Sequence, residues 1–235
     1  MADYIANPRA RLSPSDKTFA LFLNGEYSSE EDSSHRDIIE NCVTIAVDGG
    51  ARIFERLRLA PDILLGDFDS APDSPERFKD KSEIIRHDKT KNESDGELAV
   101  KLAIERGAER LLILGYGGQS ETDHLIGNLM LLPLAERIAS EAGAMIECFA
   151  AGAHERIWYI LDQKIKITTR AGDFVSIIPL DQYITLGVEG AQYPADDLRV
   201  ERGSSRSLRN RATGDRVDLE ISGAALVFWS ENLIL

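Results

Sequence analysis

Two carboxylates one residue apart repel each other, and they become chemically useful when a hard divalent cation sits between them. The stretch Pro61–Ser70, PDILLGDFDS, sets up such a pair. Its apolar run Ile63-Leu64-Leu65 reads as a short buried strand that stops at Gly66, so Asp67 and Asp69 emerge from the strand's carboxyl end. Taken alone they serve equally as turn and cap residues, since Asp favours both positions. The case for a site rests on what the neighbouring strands deliver to the same edge. VTIAV, Val43–Val47, runs straight into Asp48-Gly49-Gly50. Glu83–Arg86 opens the charged loop HDKTKNESD, which leads to Asp95, and RLLIL, Arg110–Leu114, opens into GYGG with Gly117 and Gly118. Glycines let backbone N–H groups approach phosphate oxygens, whereas carboxylates repel them. The two kinds of group fit together when a metal bridges them, which points to Mg²⁺–nucleotide chemistry. Lys91, before Asp95, is placed to neutralise a transferred phosphate; Lys89 reads as a solvated loop charge. His87 and His124 read as packed, hydrogen-bonded residues, and Trp158 and Trp229 as core. There is no GxxxxGK[ST] phosphate loop.

The elements that must hold these residues alternate. Thr18–Leu23, Val43–Val47, the Ile63 strand, Glu83–Arg86, Arg110–Leu114 and Ala144–Ala150 read as strands. Helices are expected at Ser34–Asn41, Ala51–Leu59, from Ser74 as N-cap with Pro75 in the first turn, from Ser94 to about Arg106 with Leu98, Leu102 and Ala99 inward, and over Asp123–Ala142 with a bend at Pro133. Ser94 and Glu97 fit a capping box. Strands alternating with helices imply a mostly parallel sheet covered on both faces, in which ligands bind beyond the strands' carboxyl ends. From about Ala153 the rhythm changes to closely spaced β segments: Arg156–Ile160, Lys164–Thr168, Phe174–Ile178, Ile184–Val188, Val217–Ile221 and Ala224–Trp229. The expected organisation is a flexible arm over 1–16, an α/β domain over 17–152 that binds Mg²⁺ and a nucleotide, and a smaller antiparallel β-sandwich or barrel over 153–235.

Composition bounds the partners. The 235 residues include 27 Lys plus Arg against 40 Asp plus Glu, a net charge of −13 that argues against a nucleic-acid backbone or an anionic membrane as partner. The two cysteines, Cys42 and Cys148, lie in apolar segments and read as reduced core residues. The first residues lack the apolar core of a signal peptide and no run is long enough to span a bilayer, so a cytoplasmic protein is expected.

Taken in order, DGG, PDxxxGDFDS, KNESD before an amphipathic helix, GxGG…DHxxxNLxLL and a β-rich carboxyl domain resemble the thiamine pyrophosphokinase family, from about Ala46 to the end. The resemblance implies transfer of a pyrophosphoryl group from ATP to the thiamine hydroxyl with release of AMP, by a homodimer with its sites between subunits. Position by position, it implies that Asp48, Asp67, Asp69 and Asp95 hold Mg²⁺ and the ATP phosphates, with Asp67, Asp69 and Asp95 catalytic. Gly49, Gly66, Lys91, Gly117 and Gly118 fall on the nucleotide side. Asp123 and Asn128 match residues near the bound substrate, and Ser207 and Asn210, in SLRN, the thiamine side. Three features depart from the family pattern. GGQSETDH is two residues longer than the usual loop and lacks its arginine, KNESD carries Asn92 and Ser94 for aspartate and threonine, and Arg209 replaces a serine. They motivate alternatives: the same chemistry on another alcohol, or a non-catalytic nucleotide- or thiamine-binding homologue. A sugar-nucleotide transferase reading of Asp67-Phe68-Asp69 accounts for neither Asp48 nor Asp95.

Overall fold

The computed structural model describes residues 4–10, 15–69, 71, 73–88, 92–118 and 122–232. In chain order the strands are β1 (Tyr4–Ala6), β2 (Thr18–Phe22), β3 (Val43–Val47), β4 (Ile63–Gly66), β5 (Glu83–Arg86), β6 (Arg110–Leu114), β7 (Glu147–Ala151), β8 (Glu155–Thr168), β9 (Phe174–Pro179), β10 (Tyr183–Glu189), β11 (Ala195–Glu201), β12 (Asn210–Arg211) and β13 (Arg216–Ser230). The helices are α1 (Asp32–Asn41), α2 (Ala51–Leu57), α3 (Ser74–Phe78), α4 (Asp95–Glu105), α5 (Thr122–Leu129) and α6 (Leu131–Glu141). The chain divides into two compact units, Leu12–Ala153 and Met1–Arg11 with His154–Leu235.

The first unit is α/β. Its strands pair in parallel in the order β7-β6-β2-β3-β4-β5. β2, β3, β4 and β6 are short, largely apolar runs buried on both faces, as a helix-covered parallel sheet requires. Phe22, Phe54, Leu64, Phe68 and Leu112 join one buried core. The chain builds outward from β2 through β3 and β4 to β5, then returns to β2's other side with β6. The order therefore reverses between β2 and β6, where an open α/β sheet leaves a crevice.

Local chemistry accounts for most element boundaries. The Ser94 hydroxyl accepts from the Glu97 N–H and the Glu97 carboxylate accepts from the Ser94 N–H, so the capping box forms as the sequence predicts. The single helix expected over Asp123–Ala142 is instead two, α5 and α6, parted at Met130. Pro133 has no N–H and its ring crowds the carbonyl of Leu129, so the break falls one turn before the proline. Ser74 is not a cap: Asp73 precedes the helix, and the buried Ser74 hydroxyl donates to Glu55 Oε1 at 3.0 Å. On α4 the buried side is Ala99, Val100 and Ala103, with Leu98 and Leu102 only half-buried; small residues let the helix lie close.

The second unit is antiparallel except for β1. β13 pairs with β8 along its length, and on its other edge with β10 in its first half and β9 in its second. Four strands expected from the sequence are thus two long ones. The turn signals inside them make a kink instead of a reversal: the β13 register shifts between Ile221 and Ala224, and the Gly223 N–H donates to the Asp162 carboxylate at 2.7 Å. Tyr4–Ala6, read as part of a loose arm, is a strand in parallel register with Ile165–Ile167 of β8. Arg9 explains the anchoring. Its guanidinium donates to Asp173 at 2.8 Å and Glu231 at 2.9 Å and lies 4.5 Å above the Trp229 ring.

Candidate active site

Three aspartates from three different segments converge. Carboxylate oxygens of Asp48, Asp67 and Asp95, all half-buried, lie within 4.8 Å of one another. Asp48 follows β3, Asp67 follows β4, and Asp95 opens α4. β3 and β4 are hydrogen-bonded neighbours in register from Ile45↔Ile63 to Val47↔Leu65, so their outgoing loops start side by side. Gly66 makes the close approach possible. At φ +153° it holds a conformation L side chains rarely adopt, and a Cβ there would stand 3.2 Å from both Cβ and Oδ1 of Asp48. Asp48 itself is at φ +48° and Phe68 at φ +64°, left-handed conformations that cost non-glycine residues energy and cluster at functional sites.

The strained turn at Phe68 separates the two aspartates of GDFD. Phe68 is 2% exposed and packs into the core, while Asp69 is exposed and lies outside the three-carboxylate group. Its backbone N–H donates to Asp67 Oδ1 at 3.0 Å, so Asp69 contributes its main chain to orienting Asp67. The donor set is all carboxylate oxygen, the chemistry that suits Mg²⁺, and the crowding at Gly66 keeps the three groups together.

Beside this triad is a cleft of about 270 Å³ between the ends of β2 and β6, at the point where the strand order reverses. Asp48, Asp95, Gly117 and Asn128 line it, and so does His124, which is exposed and not packed as the sequence suggested. Asn128 donates from Nδ2 to the Tyr116 carbonyl at 3.0 Å, fixing the helix behind the glycine loop. Gly49 is buried beneath the Asn24 side chain, and Gly118 is exposed next to Glu26. Asp123 is exposed and does not line the cleft. Lys89, Lys91 and the loop residues 119–121 lie outside the described residues.

Asn24-Gly25, directly after the Thr18–Leu23 strand, was not singled out from the sequence. Both residues line the cleft, and Arg52 donates to Asn24 Oδ1 at 3.1 Å. Nor was Tyr27. The Tyr27 hydroxyl donates to the Leu23 carbonyl at 2.6 Å, and Leu23 N–H donates to the Leu114 carbonyl at 2.9 Å, so one half-buried phenol steadies the ends of both strands that flank the cleft. Burial pushes the Tyr27 pKa well up, keeping the hydroxyl a donor. An Asn-Gly directly after the first strand was the available signal, but its importance depends on β2 lying beside β6.

In the β unit, Ser207 and Asn210 are buried and border a groove of about 610 Å³. Their polar atoms are committed to the fold. The Ser207 hydroxyl donates to the Ile177 carbonyl at 2.6 Å, and Asn210 brackets the Tyr193 backbone, accepting at 3.0 Å and donating at 2.7 Å. What they present to solvent along that groove are Tyr193, 67% exposed, and Leu208, 44% exposed. Arg209, at φ +54°, stacks its guanidinium 4.0 Å from the Phe174 ring centroid.

Residues 35–142 match the family model described as the thiamin pyrophosphokinase catalytic domain. No curated protein sequence matches the chain. Among solved structures, the thiamine pyrophosphokinase from Bacillus subtilis superposes with a TM-score of 0.76 at 22% identity, covering 92% of this chain and 100% of that one. The thiamin pyrophosphokinase from Candida albicans gives a TM-score of 0.80 at 14% identity, over 98% of this chain and 93% of its own. The yeast thiamin pyrophosphokinase gives 0.77 at 14% identity, over 97% and 90%. These likenesses establish a shared fold across both units, and the domain match falls on the unit that carries the aspartate triad and its cleft. Residues 35–142 of the α/β unit are thus similar to the thiamin pyrophosphokinase catalytic domain, and the chain shares its fold with solved thiamin pyrophosphokinases.

Proposed function

We propose that this protein transfers a pyrophosphoryl group from ATP to the hydroxyl of thiamine, giving thiamine diphosphate and AMP. The observation that carries the reading is the convergence of Asp48, Asp67 and Asp95 within 4.8 Å at the carboxyl edge of the parallel sheet. Their oxygens would hold Mg²⁺, which supplies neutralisation of the polyphosphate and draws charge from the β- and γ-phosphates. The backbone of Gly117 and Gly118 offers N–H groups to the nucleotide, and Asn128 holds Tyr116 and the loop after it in place. Asp95, at the first turn of α4, is the carboxylate proposed to orient the attacking hydroxyl or take its proton. Asp69 is proposed to act through its N–H, which aims Asp67. Ser207 and Asn210 are proposed to act on the thiamine side by holding Tyr193 and Leu208 at the groove. The working form proposed is a cytoplasmic homodimer; no helix among the described residues is long and apolar enough to cross a membrane.

A second reading keeps the reaction and changes the acceptor. It is motivated by the GGQSETDH loop, which is two residues longer than the usual one and lacks its arginine, and by Arg209 in place of a serine. The deciding experiment is AMP release from Mg·ATP with and without thiamine, with mass detection of the product. Thiamine-dependent AMP with thiamine diphosphate supports the first reading. Nucleotide binding without thiamine-dependent AMP refutes it, and competition among other hydroxymethyl heterocycles then tests the second.

A further inference from the structure

The Asp67-Phe68-Asp69 loop has a cation standing over it that the sequence did not single out. Arg86 ends β5 and is in register with Gly66 of β4, and the His87 N–H donates to the Gly66 carbonyl at 3.1 Å. The ladder that delivers Asp67 to the carboxyl edge therefore delivers Arg86 beside it. Its guanidinium carbon lies 4.8 Å from the centroid of the Phe68 ring, the buried ring that parts the two aspartates. Arg86 is exposed, and among the described residues its guanidinium makes no hydrogen bond or ion pair, although Asp67 and Asp69 flank the ring it covers. The ring contact seats the guanidinium over Phe68 and leaves its N–H groups available to a phosphate oxygen pair.

Charge gives the reason for an anion. Three carboxylates around one divalent ion leave an excess of about one negative charge, and a nucleoside triphosphate adds about four more. The chain around it is already at −13. A polyphosphate at this edge needs cations besides the metal. We propose that Arg86 binds the polyphosphate of the nucleotide through its guanidinium, held for that purpose by Phe68. This rests on the reading that the aspartate site takes Mg·ATP.

The test compares the full chain with Arg86→Gln and Arg86→Lys by calorimetry, measuring affinity for Mg·ATP, for AMP, and for Mn²⁺ without nucleotide. Arg86→Gln is expected to weaken Mg·ATP by about tenfold or more, as loss of a charge-assisted pair does, while AMP and Mn²⁺ affinities stay within about twofold. Arg86→Lys recovers part of the loss, since it keeps the charge and not the fork. Wild-type Mg·ATP affinity in Arg86→Gln overturns the proposal. So does a parallel fall in Mn²⁺ affinity, which would mean that Arg86 only props the aspartate loop through Phe68. A wild-type chain that binds Mg·ATP but releases no AMP with thiamine refutes the proposed reaction and leaves this test standing; one that binds no Mg·ATP overturns both.

Discussion

Gly66→Ala isolates the packing that brings the aspartates together. The added Cβ stands 3.2 Å from Asp48 Cβ and Oδ1 and 3.3 Å from its Cα. Comfortable carbon contacts are about 3.5–4.0 Å, so Asp48 must retreat by roughly 0.3–0.8 Å. Mg²⁺ holds its oxygen ligands at about 2.0–2.1 Å in near-octahedral geometry and tolerates displacements of about 0.2 Å, so this movement spoils the site. An expected loss of about 10- to 100-fold in metal affinity follows, comparable to disturbing the support of a metal ligand. The backbone at φ +153° adds strain on the order of 1–3 kcal/mol, or a fall of a few degrees in Tm. The control is Gly107→Ala, at φ +86° with nothing within 4 Å of its Cβ, which carries the strain without the crowding. Mn²⁺ calorimetry and thermal melting on both variants make the measurement. Gly66→Ala with wild-type metal affinity, or Gly107→Ala with the same metal defect, refutes the reasoning.

Four further outcomes follow from particular contacts. Asp67→Asn and Asp95→Asn should each cost several kcal/mol of transition-state stabilisation, whereas Asp69→Asn should leave metal affinity near wild type because its carboxylate is outside the triad; Mg²⁺ titrations of AMP release separate them. Tyr27→Phe removes the hydroxyl that ties Leu23, at about 1 kcal/mol of stability, and should lower activity equally across pH 6–8 because the phenol never ionises there. His35 is 4% exposed, and burial first, then Arg56, lowers its pKa to about 4. Between about pH 6.5 and 4 the unfolded chain takes a proton that the folded chain refuses, so stability falls with pH, by about 2 kcal/mol from pH 7 to 5; urea unfolding of His35→Leu should lack that slope. Burial works to raise the Asp173 pKa, but the Arg170 N–H, Arg9 and Trp229 hold it below the usual carboxylate range. Its stabilisation is therefore present above the unfolded value and lost as acid reaches the folded one. Arg9→Ala should shift that acid transition to higher pH and deprotect β1 in hydrogen exchange.

The chemistry-bearing residue types were legible because strand, glycine and aspartate are a local pattern. Four apolar runs of four or five residues each stop at a loop bearing Asp or Gly, and a parallel sheet places all such loops on one edge. The capping box at Ser94 was legible for the same reason, since both of its partners lie within one turn. Asp69 was not, because its separation from the triad comes from Phe68 turning into the core at φ +64°, a demand of packing and not of spacing. Tyr27 and Arg86 carry no motif, and Asn24-Gly25 matters only because β2 lies beside β6.

Sequence alone determined the α/β order, the change to β structure after about Ala153, and the aspartates that face one edge, because hydrophobic period and turn chemistry act over a few residues. Only the tertiary structure decided that β6 returns beside β2, and so which loops border the cleft. It decided that Asp48, Asp67 and Asp95 meet while Asp69 does not, that two pairs of strands fuse through the Asp162–Gly223 kink, and that the amino-terminal strand docks through Arg9. Each of those outcomes depends on groups far apart in the chain competing for the same space and the same hydrogen bonds, which no local pattern records.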